Sequence, residues 1–340
     1  MSVSPVGYIV VTTINAPSPS IERIIALRPD WVLLAVGDRK TPVAWSCDGA
    51  QFLSLADQVA FGTRFAEACP YDHYARKNVG YLKAMALGAP VIAETDDDNS
   101  PYPTFLGSLE RNVAGRVVQS SGWVNVYAHF TDARIWPRGF PLEEVNRSFD
   151  HPSDFVSVAV TCSIQQYLVD GDPDVDAIYR LTHRGETVFW GESVILGPGS
   201  YCPFNSQATV WWPEVYDLLY LPCTVSFRMT DIWRSLVAQR CLHAAGGSVA
   251  FLAPTLRQTR NAHNLLQDFA DEIPGYLGNS RIVELLDELV LETEPTAMST
   301  NMRSCYKCLI AAGIVDAEEL PLLDRWLADV ESFRAPTQDA

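Results

Sequence analysis

Apolar and helical segments alternate along the first hundred residues. Short apolar runs lie at 8–14, 31–37, 51–54 and 90–94, and segments with helical character lie between them, at about 18–27, 55–68 and 71–87. Strands that are covered by helices on both faces form continuous apolar runs of this kind. The pattern therefore predicts an α/β fold class with a parallel, doubly covered sheet.

The chain changes character after residue 100. Residues 100–230 are rich in proline and aromatic side chains, and they indicate only short strands, at 155–161, 187–189 and 193–196. A helix is predicted over 231–245, where two glycines stop it.

From about residue 262 the pattern is helical to the end, for example over 282–291 and 320–330. We expect these helices to pack on the sheet domain or on a second subunit. The sequence thus divides into a sheet domain, 1–260, and a helical C-terminal extension, 261–340.

The charge balance narrows the classes of partner. The 340 residues contain 25 Lys and Arg against 41 Asp and Glu, a net charge of −16. Such a field repels polyanions, so we expect no nucleic-acid partner. A small anionic ligand would need a locally basic site.

We also expect neither a targeting segment nor a transmembrane segment, since no apolar run approaches about 18 residues. The eight cysteines are scattered, which favours reduced thiols and a cytoplasmic protein. Cys305 and Cys308 form a lone CxxC, for which ordinary core or surface thiols are favoured over a metal or redox role.

Polar residues follow several of the predicted strands. Ligands of parallel α/β sheets bind at the carboxyl ends of the strands. Those ends carry Thr12, Thr13 and Asn15, then Gly37 and Asp38, and finally an acidic segment at 94–99.

The acidic segment is the sharpest feature of the sequence. Asp96 and Asp98 are spaced to hold a hard divalent ion, Mn²⁺ or Mg²⁺, through oxygen, with positions left for a diphosphate and water. The alternative is a solvated acidic turn, which aspartates also favour. His263 is either a surface histidine or a later ligand for the metal or a phosphate.

Basic residues lie close to this segment in the predicted fold. Arg76 and Lys77 begin the helix before the acidic strand end, and Lys40 lies in a basic turn after the second strand. They either neutralise a diphosphate or form an ordinary basic helix face and β-turn. Gly80, inside the helix, indicates that another group approaches the helix closely.

Two further acidic stretches are candidates for the cleft. The segment 170–176 lacks the glycine and glutamate of a calcium loop, so a helix cap or a polar cleft wall is favoured for Asp174 and Asp176. Asp231 begins a helix and is either its cap or a general base. Arg228 and Arg234 bracket it, which favours an ionised Asp231 if they lie close.

Several common enzyme signatures are missing. There is no P-loop, no G-x-G-x-x-G and no G-x-S-x-G, so the sequence does not support an NTPase, a classical dehydrogenase or a serine hydrolase.

Seven stretches of the chain occur in a family's order, at 32–42, 71–82, 136–143, 164–166, 173–176, 204–206 and 221–240. Together they resemble the STELLO-type glycosyltransferases, distant relatives of the reversibly glycosylated polypeptides (UDP-arabinopyranose mutases). The resemblance covers roughly residues 8–255 and is not seen in the helical tail after about 270.

This resemblance implies a GT-A-like (Rossmann-like) mixed sheet flanked by helices, with a nucleotide sugar over the strand ends. The acidic segment then resembles the DxD motif of that fold. Asp231 matches the position where an inverting enzyme places its base. The implied donor-binding residues are Thr12, Thr13, Asn15, Gly37, Asp38, Lys40, Arg76, Lys77, Asp96 and Asp97. The acceptor or cleft candidates are Trp136, Arg138, Asp174, Asp176 and Arg234.

The leading hypothesis is a metal-dependent, inverting glycosyltransferase that acts in glycan or polysaccharide biosynthesis. Its partners would be a nucleotide-sugar donor and a hydroxyl acceptor, with a homo-oligomer formed through the C-terminal helices as a further expectation. Two alternatives stay open: a nucleotide-sugar mutase, and a non-catalytic partner of another enzyme.

Overall fold

The structure is a computed structural model that describes residues 5–150, 154–260 and 264–334. The strands are β1 Tyr8–Thr13, β2 Val32–Gly37, β3 Ala50–Leu53, β4 Ile92–Thr95, β5 Asn99–Pro101, β6 Asn112–Val118, β7 Gly122–Trp123, β8 Phe155–Thr161, β9 Ile164–Gly171, β10 Val194–Leu196, β11 Ser200–Tyr201, β12 Ala208–Trp211 and β13 Val249–Gln258. The helices are α1 Pro19–Leu27, α2 Leu55–Phe61, α3 Arg64–Ala68, α4 Lys77–Ala86, α5 Leu142–Asp150, α6 Ala177–Thr182, α7 Thr230–Ala244, α8 Leu265–Asp287, α9 Met298–Ala311 and α10 Glu319–Phe333.

Within the described ranges, eleven strands form one sheet. Ten run in the order β3-β2-β1-β4-β12-β9-β13-β10-β6-β8, and β5 pairs with β13. The first four are parallel, as the apolar runs predict. Antiparallel β12 then joins this half to the other strands, so the sheet is mixed. The α/β fold class and the mixed sheet flanked by helices are confirmed, whereas a wholly parallel sheet is wrong.

Successive residues of β1 point to opposite faces of the sheet, which explains why the strand is apolar throughout. Tyr8 and Val10 belong to a core shared with α4, α7 and the C-terminal helices. Ile9 and Val11 belong to a second core on the α1 side. Both faces are therefore buried.

Local signals explain where the predicted helices begin and end. The side chain of Ser18 accepts a hydrogen bond from the Ile21 amide and caps α1. The single helix predicted over 55–68 is instead two helices, because Gly62 adopts a φ of 65° and Thr63 caps a new start. The helix predicted over 71–87 becomes α-helical only at Lys77, after a 3₁₀ turn.

Gly80 explains how α4 reaches the sheet. A Cβ atom at this position would lie 2.5 Å from Val10 Cγ1 and 2.6 Å from Val36 Cγ2. The close approach inferred from the sequence is confirmed, and the approaching group is the sheet itself. Because α4 lies directly on β1 and β2, its first turn is held beside the ends of those strands.

The C-terminal helices pack on the sheet domain, one of the two places predicted for them. Their side chains share one hydrophobic core with α4 and α7. Glu319 on α10 is fully buried and accepts hydrogen bonds from the amides of Cys223 and Thr224. Asp329 accepts from the amide of Phe65 at 2.7 Å and so caps α3.

Other predictions have mixed outcomes. All eight cysteines are free, as expected. The strand predicted at 187–189 is reduced to one bridge between Thr187 and Gly171. No helix in the described part of the chain is long and apolar enough to cross a membrane.

Candidate functional site

A cavity of about 460 Å³ opens at the carboxyl ends of the parallel strands. Its lining brings together predicted residues from three strand ends with residues from the second half of the chain. The predicted residues that line it are Thr12, Thr13, Asn15, Asp38, Lys40, Arg76, Asp96, Asp97, Asp98, Arg138, Asp174 and Asp231.

One end of the cavity, the strand-end region, is formed by the residues after β1 and β2. Thr13 Oγ1 donates to Asp97 at 2.6 Å, and Asn15 Nδ2 donates to the same carboxylate at 3.2 Å. Thr41 Oγ1 donates to the Thr13 carbonyl at 2.6 Å and accepts from the Asp38 amide at 2.8 Å. These hydrogen bonds hold the loops after β1 and β2 against each other and leave polar groups on the surface of the cavity.

The acidic segment lies in the middle of the cavity. Asp96 accepts hydrogen bonds from Tyr74 Oη at 3.0 Å and Lys77 Nζ at 3.1 Å. Asp98 accepts from Gln258 Nε2 at 3.1 Å. Burial raises the pKa of Asp98 to about 6, and the negative charge of Asp96 adds to this. Burial also raises the pKa of Asp96, against the opposing charge of Lys77.

Two amide oxygens beside the acidic segment have no donor in the described part of the chain. Gln258 Oε1 and Gln207 Oε1 are both buried without a hydrogen-bond partner, and both residues line the cavity. Burying an unpaired acceptor is costly, so these atoms are suited to a cation or to the hydroxyl groups of a ligand.

Raised carboxylate pKa values and unpaired oxygens fit a hard divalent cation held by Asp96 and Asp98. Among the described residues there is no cluster of three or more His, Cys, Asp or Glu that could hold a metal. Other ligands would therefore come from amide oxygens, substrate or water. The third predicted ligand, His263, lies outside the described residues.

The predicted basic helix start is arranged differently from the expectation. Lys77 is fully buried and does not line the cavity, because its Nζ donates to the carbonyls of Thr95 and Ser206 as well as to Asp96. The Arg76 guanidinium donates to the carbonyl of Cys69 at 3.0 Å and to the side chain of Gln58. Lys77 is therefore not placed to contact a ligand in the cavity directly, in contrast to the expectation, and it contacts Asp96 instead.

The other end of the cavity, the arginine region, is a network of buried ion pairs. Arg138 donates to both oxygens of Asp174 at 2.8–3.1 Å and to both oxygens of Asp231 at 2.9–3.0 Å. Burial works to raise the pKa of Asp174, but Arg138, with Arg260 and Arg228, holds it well below its usual range. Arg138 thus orients both carboxylates.

Arg228 and Arg234 do not pair with Asp231, in contrast to the expectation. Arg228 donates to Glu272 of α8 at 2.7–2.9 Å. Arg234 is buried and donates to Glu94 at 2.8–3.0 Å. The ion-pair partner of Asp231 is Arg138, a residue far away in the sequence.

Besides Lys77, four predicted site residues lie outside the cavity lining. Arg234 is held in the core by Glu94, and Gly37 ends β2 where a Cβ atom would meet Phe52 at 2.7 Å. Asp176 caps α6 through the amide of Tyr179 and accepts from Trp136 Nε1 at 2.5 Å. The interpretation of Asp176 as a helix cap is confirmed. The assignment of Asp176, Trp136 and Arg234 to the cleft is wrong, because none of the three lines the cavity.

Several lining residues were missed by the sequence reasoning. Gln258 ends β13 and Arg260 follows it, and an apolar run at 249–252 after two glycines would have predicted that strand. Glu272, which holds Arg228, has no signal in the local sequence, since only the packing of α8 brings it there.

Residues 228–337 match the family model of the STELLO glycosyltransferases. This segment contains most of the helical tail. The expectation that the resemblance ends before the tail is therefore wrong.

Curated relatives are similar over most of the chain. It is 31% identical over 335 residues to "Probable glycosyltransferase STELLO2" of Arabidopsis thaliana, covering 92% of this chain and 42% of that protein. It is 29% identical over 344 residues to "Probable glycosyltransferase STELLO1", covering 95% of this chain and 44% of that protein. The chain thus spans less than half the length of these relatives.

Among solved structures, the chain is similar to one described as "Crystal Structure of a Mycobacterial Protein". The TM-score is 0.41 at 11% identity, covering 80% of this chain and 74% of the other. The matched family model and the two plant relatives agree with each other, and on that basis the chain belongs to the STELLO-type glycosyltransferase family.

Proposed function

We propose that this chain is a glycosyltransferase that transfers a sugar from a nucleotide-sugar donor to a hydroxyl acceptor, a glycan or polysaccharide, with Mn²⁺ or Mg²⁺. The observation that carries the proposal is that Asp96 and Asp98 both line a cavity at the strand ends. The family membership and the printed description of both plant relatives support the reaction class.

We assign the nucleoside to the strand-end region. Thr12, Thr13, Asn15 and Asp38 offer hydroxyl, amide and carboxylate groups there, and Lys40 adds an exposed positive charge. Parallel α/β sheets bind nucleotides at this edge. The sugar would then lie beyond the acidic segment, toward Asp231.

Asp96 and Asp98 would hold the divalent cation. A bound cation supplies positive charge that offsets the charge developing on the leaving nucleoside diphosphate. Lys77 orients Asp96 from inside the core, and Gln258 orients Asp98 from the end of β13.

We assign the general base to Asp231. Its Oδ1 atom accepts from Arg138 and from the Ile232 amide at 3.0 Å each. Its Oδ2 atom accepts from Arg138 at 2.9 Å, but its contacts with the Ser206 amide and hydroxyl are long, at 3.3 and 3.5 Å. Oδ2 is therefore the atom we propose takes the acceptor proton as the hydroxyl attacks, which gives inversion.

The metal assignment is tested by thermal shift with nucleoside diphosphates, in Mn²⁺ or in EDTA. A ligand that binds the folded state raises stability by RT ln(1+[L]/Kd), about 2.7 kcal/mol at a hundredfold excess over Kd. We expect strong stabilisation with Mn²⁺, weak stabilisation with EDTA, and loss of the difference in Asp98→Asn.

The matched control is Asp48→Asn, an exposed aspartate outside the cavity, which should keep the difference. Equal stabilisation in both buffers would remove the metal from the proposal. Binding of no nucleoside diphosphate would reject the glycosyltransferase itself. Conversion of a nucleotide sugar to an isomer without any acceptor would identify a mutase instead.

A further inference from the structure

Four arginines surround one carboxylate in the arginine region. Their guanidinium nitrogens lie 2.8 Å (Arg138), 3.3 Å (Arg260), 3.8 Å (Arg180) and 4.0 Å (Arg228) from Asp174. All four side chains are at most 13% exposed. Such a concentration of positive charge is unexpected in a chain with a net charge of −16.

The neighbouring acids do not pair these cations evenly. Asp231 and Asp174 are bound bidentately by Arg138, and Glu272 is bound by Arg228. Arg180 makes no hydrogen bond through either terminal nitrogen to any described residue. Burial, together with the positive charges of Arg260 and Arg228, lowers the pKa of Arg180 to about 9. Its Nη1 atom lies 3.5 Å from Asp268, so four carboxylates face the four guanidinium groups, and any further anion must use donors that these carboxylates leave open.

Arg228 and Arg260 each keep one guanidinium nitrogen open toward the cavity that they line. The Nε and Nη2 atoms of Arg228 are fixed by Glu272. The Nε and Nη2 atoms of Arg260 are fixed by the carbonyls of Asp172 and Pro173 and by Asp174. Neither Nη1 atom has a partner among residues 5–150, 154–260 and 264–334. Fixed guanidinium groups with open donors are pre-organised for a carboxylate or phosphate.

Arg228 is separated from the proposed metal ligand Asp96 by several contacts, whereas Arg260 interacts electrostatically with both Asp174 and Asp98. A chain of contacts runs from Asp96 through Tyr74 and Ser206 to Asp231. Arg138 then connects Asp231 to Asp174, beside which Arg228 lies. The proposed base thus lies between Arg228 and the proposed metal ligand Asp96. A group bound at Arg228 lies on the acceptor side of the base.

We propose that Arg228 and Arg260 bind an anionic group, a phosphate or a carboxylate, that the acceptor carries. This inference rests on the proposed function, because it takes Asp231 as the boundary between donor and acceptor. Glu272 of α8 is the positioning residue for Arg228, so the C-terminal helices contribute to acceptor binding.

The test is isothermal titration of the full chain with inorganic phosphate, glucuronate and glucose, each in the presence of saturating Mn²⁺ and nucleoside diphosphate. We expect phosphate and glucuronate to bind and uncharged glucose to bind more weakly. Arg260→Gln should raise the Kd of phosphate and glucuronate about tenfold, or ~1.4 kcal/mol. The Kd of the nucleoside diphosphate should change less than about twofold.

Two further variants complete the design. Arg281→Gln, an exposed arginine on α8 that pairs with Glu284, should leave every titration unchanged. The double variant Arg228→Gln with Glu272→Gln removes both charges of the buried pair, so that neither charge is left unpaired. It should weaken phosphate binding by about as much as Arg260→Gln does. Its melting curve reports whether the variant folds.

Three outcomes would overturn the inference. Unchanged phosphate affinity in both arginine variants removes the subsite. Equal weakening of phosphate and nucleoside diphosphate assigns the arginines to the donor. If phosphate binds through Arg260 but the wild-type chain binds no nucleoside diphosphate, the proposed function fails and the acceptor assignment fails with it. A preference for only one of phosphate and glucuronate identifies the anion.

Discussion

The two ends of the cavity are held together by different interactions. In the strand-end region, Thr13, Asn15 and Thr41 make short hydrogen bonds within and between neighbouring strand ends, and Lys40 is exposed. In the arginine region, the carboxylates that line the cavity are paired with buried guanidinium groups.

Because of this difference, we expect the strand-end region to contribute mainly to ligand binding and the arginine region to contribute also to stability. The strand-end region is stabilised by the sheet itself, so its side chains are free to change without unfolding the protein. The arginine region balances buried charges, and removal of one partner leaves the others unpaired in a medium of low dielectric constant. Mutations at the two ends should therefore differ in their effect on stability, and four predictions test this.

The largest effect is expected for Asp231→Asn. Loss of a positioned base lowers transfer by about 10²–10⁴-fold, while the donor Kd should change little, because the base acts in the transition state. Initial rates and donor titrations measure the two quantities. Asp174→Asn is the comparison, since it also loses charge opposite Arg138. If Asp174→Asn loses transfer and Asp231→Asn retains it, the base is Asp174.

The second prediction concerns Arg138. Arg138→Gln leaves Asp174 and Asp231 buried without their main cation, so the free energy of unfolding should fall by about 3–5 kcal/mol. Urea denaturation measures this. Arg111→Gln, which breaks an exposed pair with Glu214, is the control and should cost less than about 1 kcal/mol. Similar losses in the two variants would show that the arginine region is not a rigid network.

The third prediction concerns Arg76, which lines the cavity but belongs to neither the strand-end region nor the arginine region. Because its guanidinium is bonded to Cys69 and Gln58, Arg76→Gln should lower the free energy of unfolding by about 1–3 kcal/mol. The affinities for a nucleoside and its diphosphate should change by the same factor. Titration of both ligands decides the point, since selective weakening of the diphosphate would restore the phosphate-binding role predicted from the sequence.

The smallest effect is expected for Lys40→Ala. An exposed charge contributes at most about 1 kcal/mol, so the diphosphate Kd should rise only a few-fold, and less at high salt. Stability should be unchanged. A large loss of stability would show that the strand-end region is as tightly held as the arginine region.

The sequence predicts the strand-end region well, for a physical reason. Thr13 ends β1, Asp38 follows β2 directly, and Asp98 lies three residues after β4. The geometry of a parallel sheet brings such strand ends to one edge. The arginine region depends on residues that follow β9 and β13 and on residues of α7 and α8. Their positions follow from pairing between distant strands and from the packing of the helical tail. Arg234 shows why the local sequence does not predict this region. It lies three residues after Asp231, but its side chain points into the core and binds Glu94.

The 220–224 segment depends on Glu319, a residue that is synthesised about a hundred residues later. Four donors of the 220–224 segment, two amides and the hydroxyl groups of Tyr220 and Thr224, depend on this one carboxylate. Before α10 has been synthesised, those four donors lack the Glu319 carboxylate as their acceptor. The segment before α7 therefore cannot reach its final structure until then. A chain truncated after residue 318 should be cleaved by trypsin near Arg228 while the full chain resists, and equal resistance would contradict this. α10 is thus needed to hold the segment that leads into α7, the helix that carries Asp231.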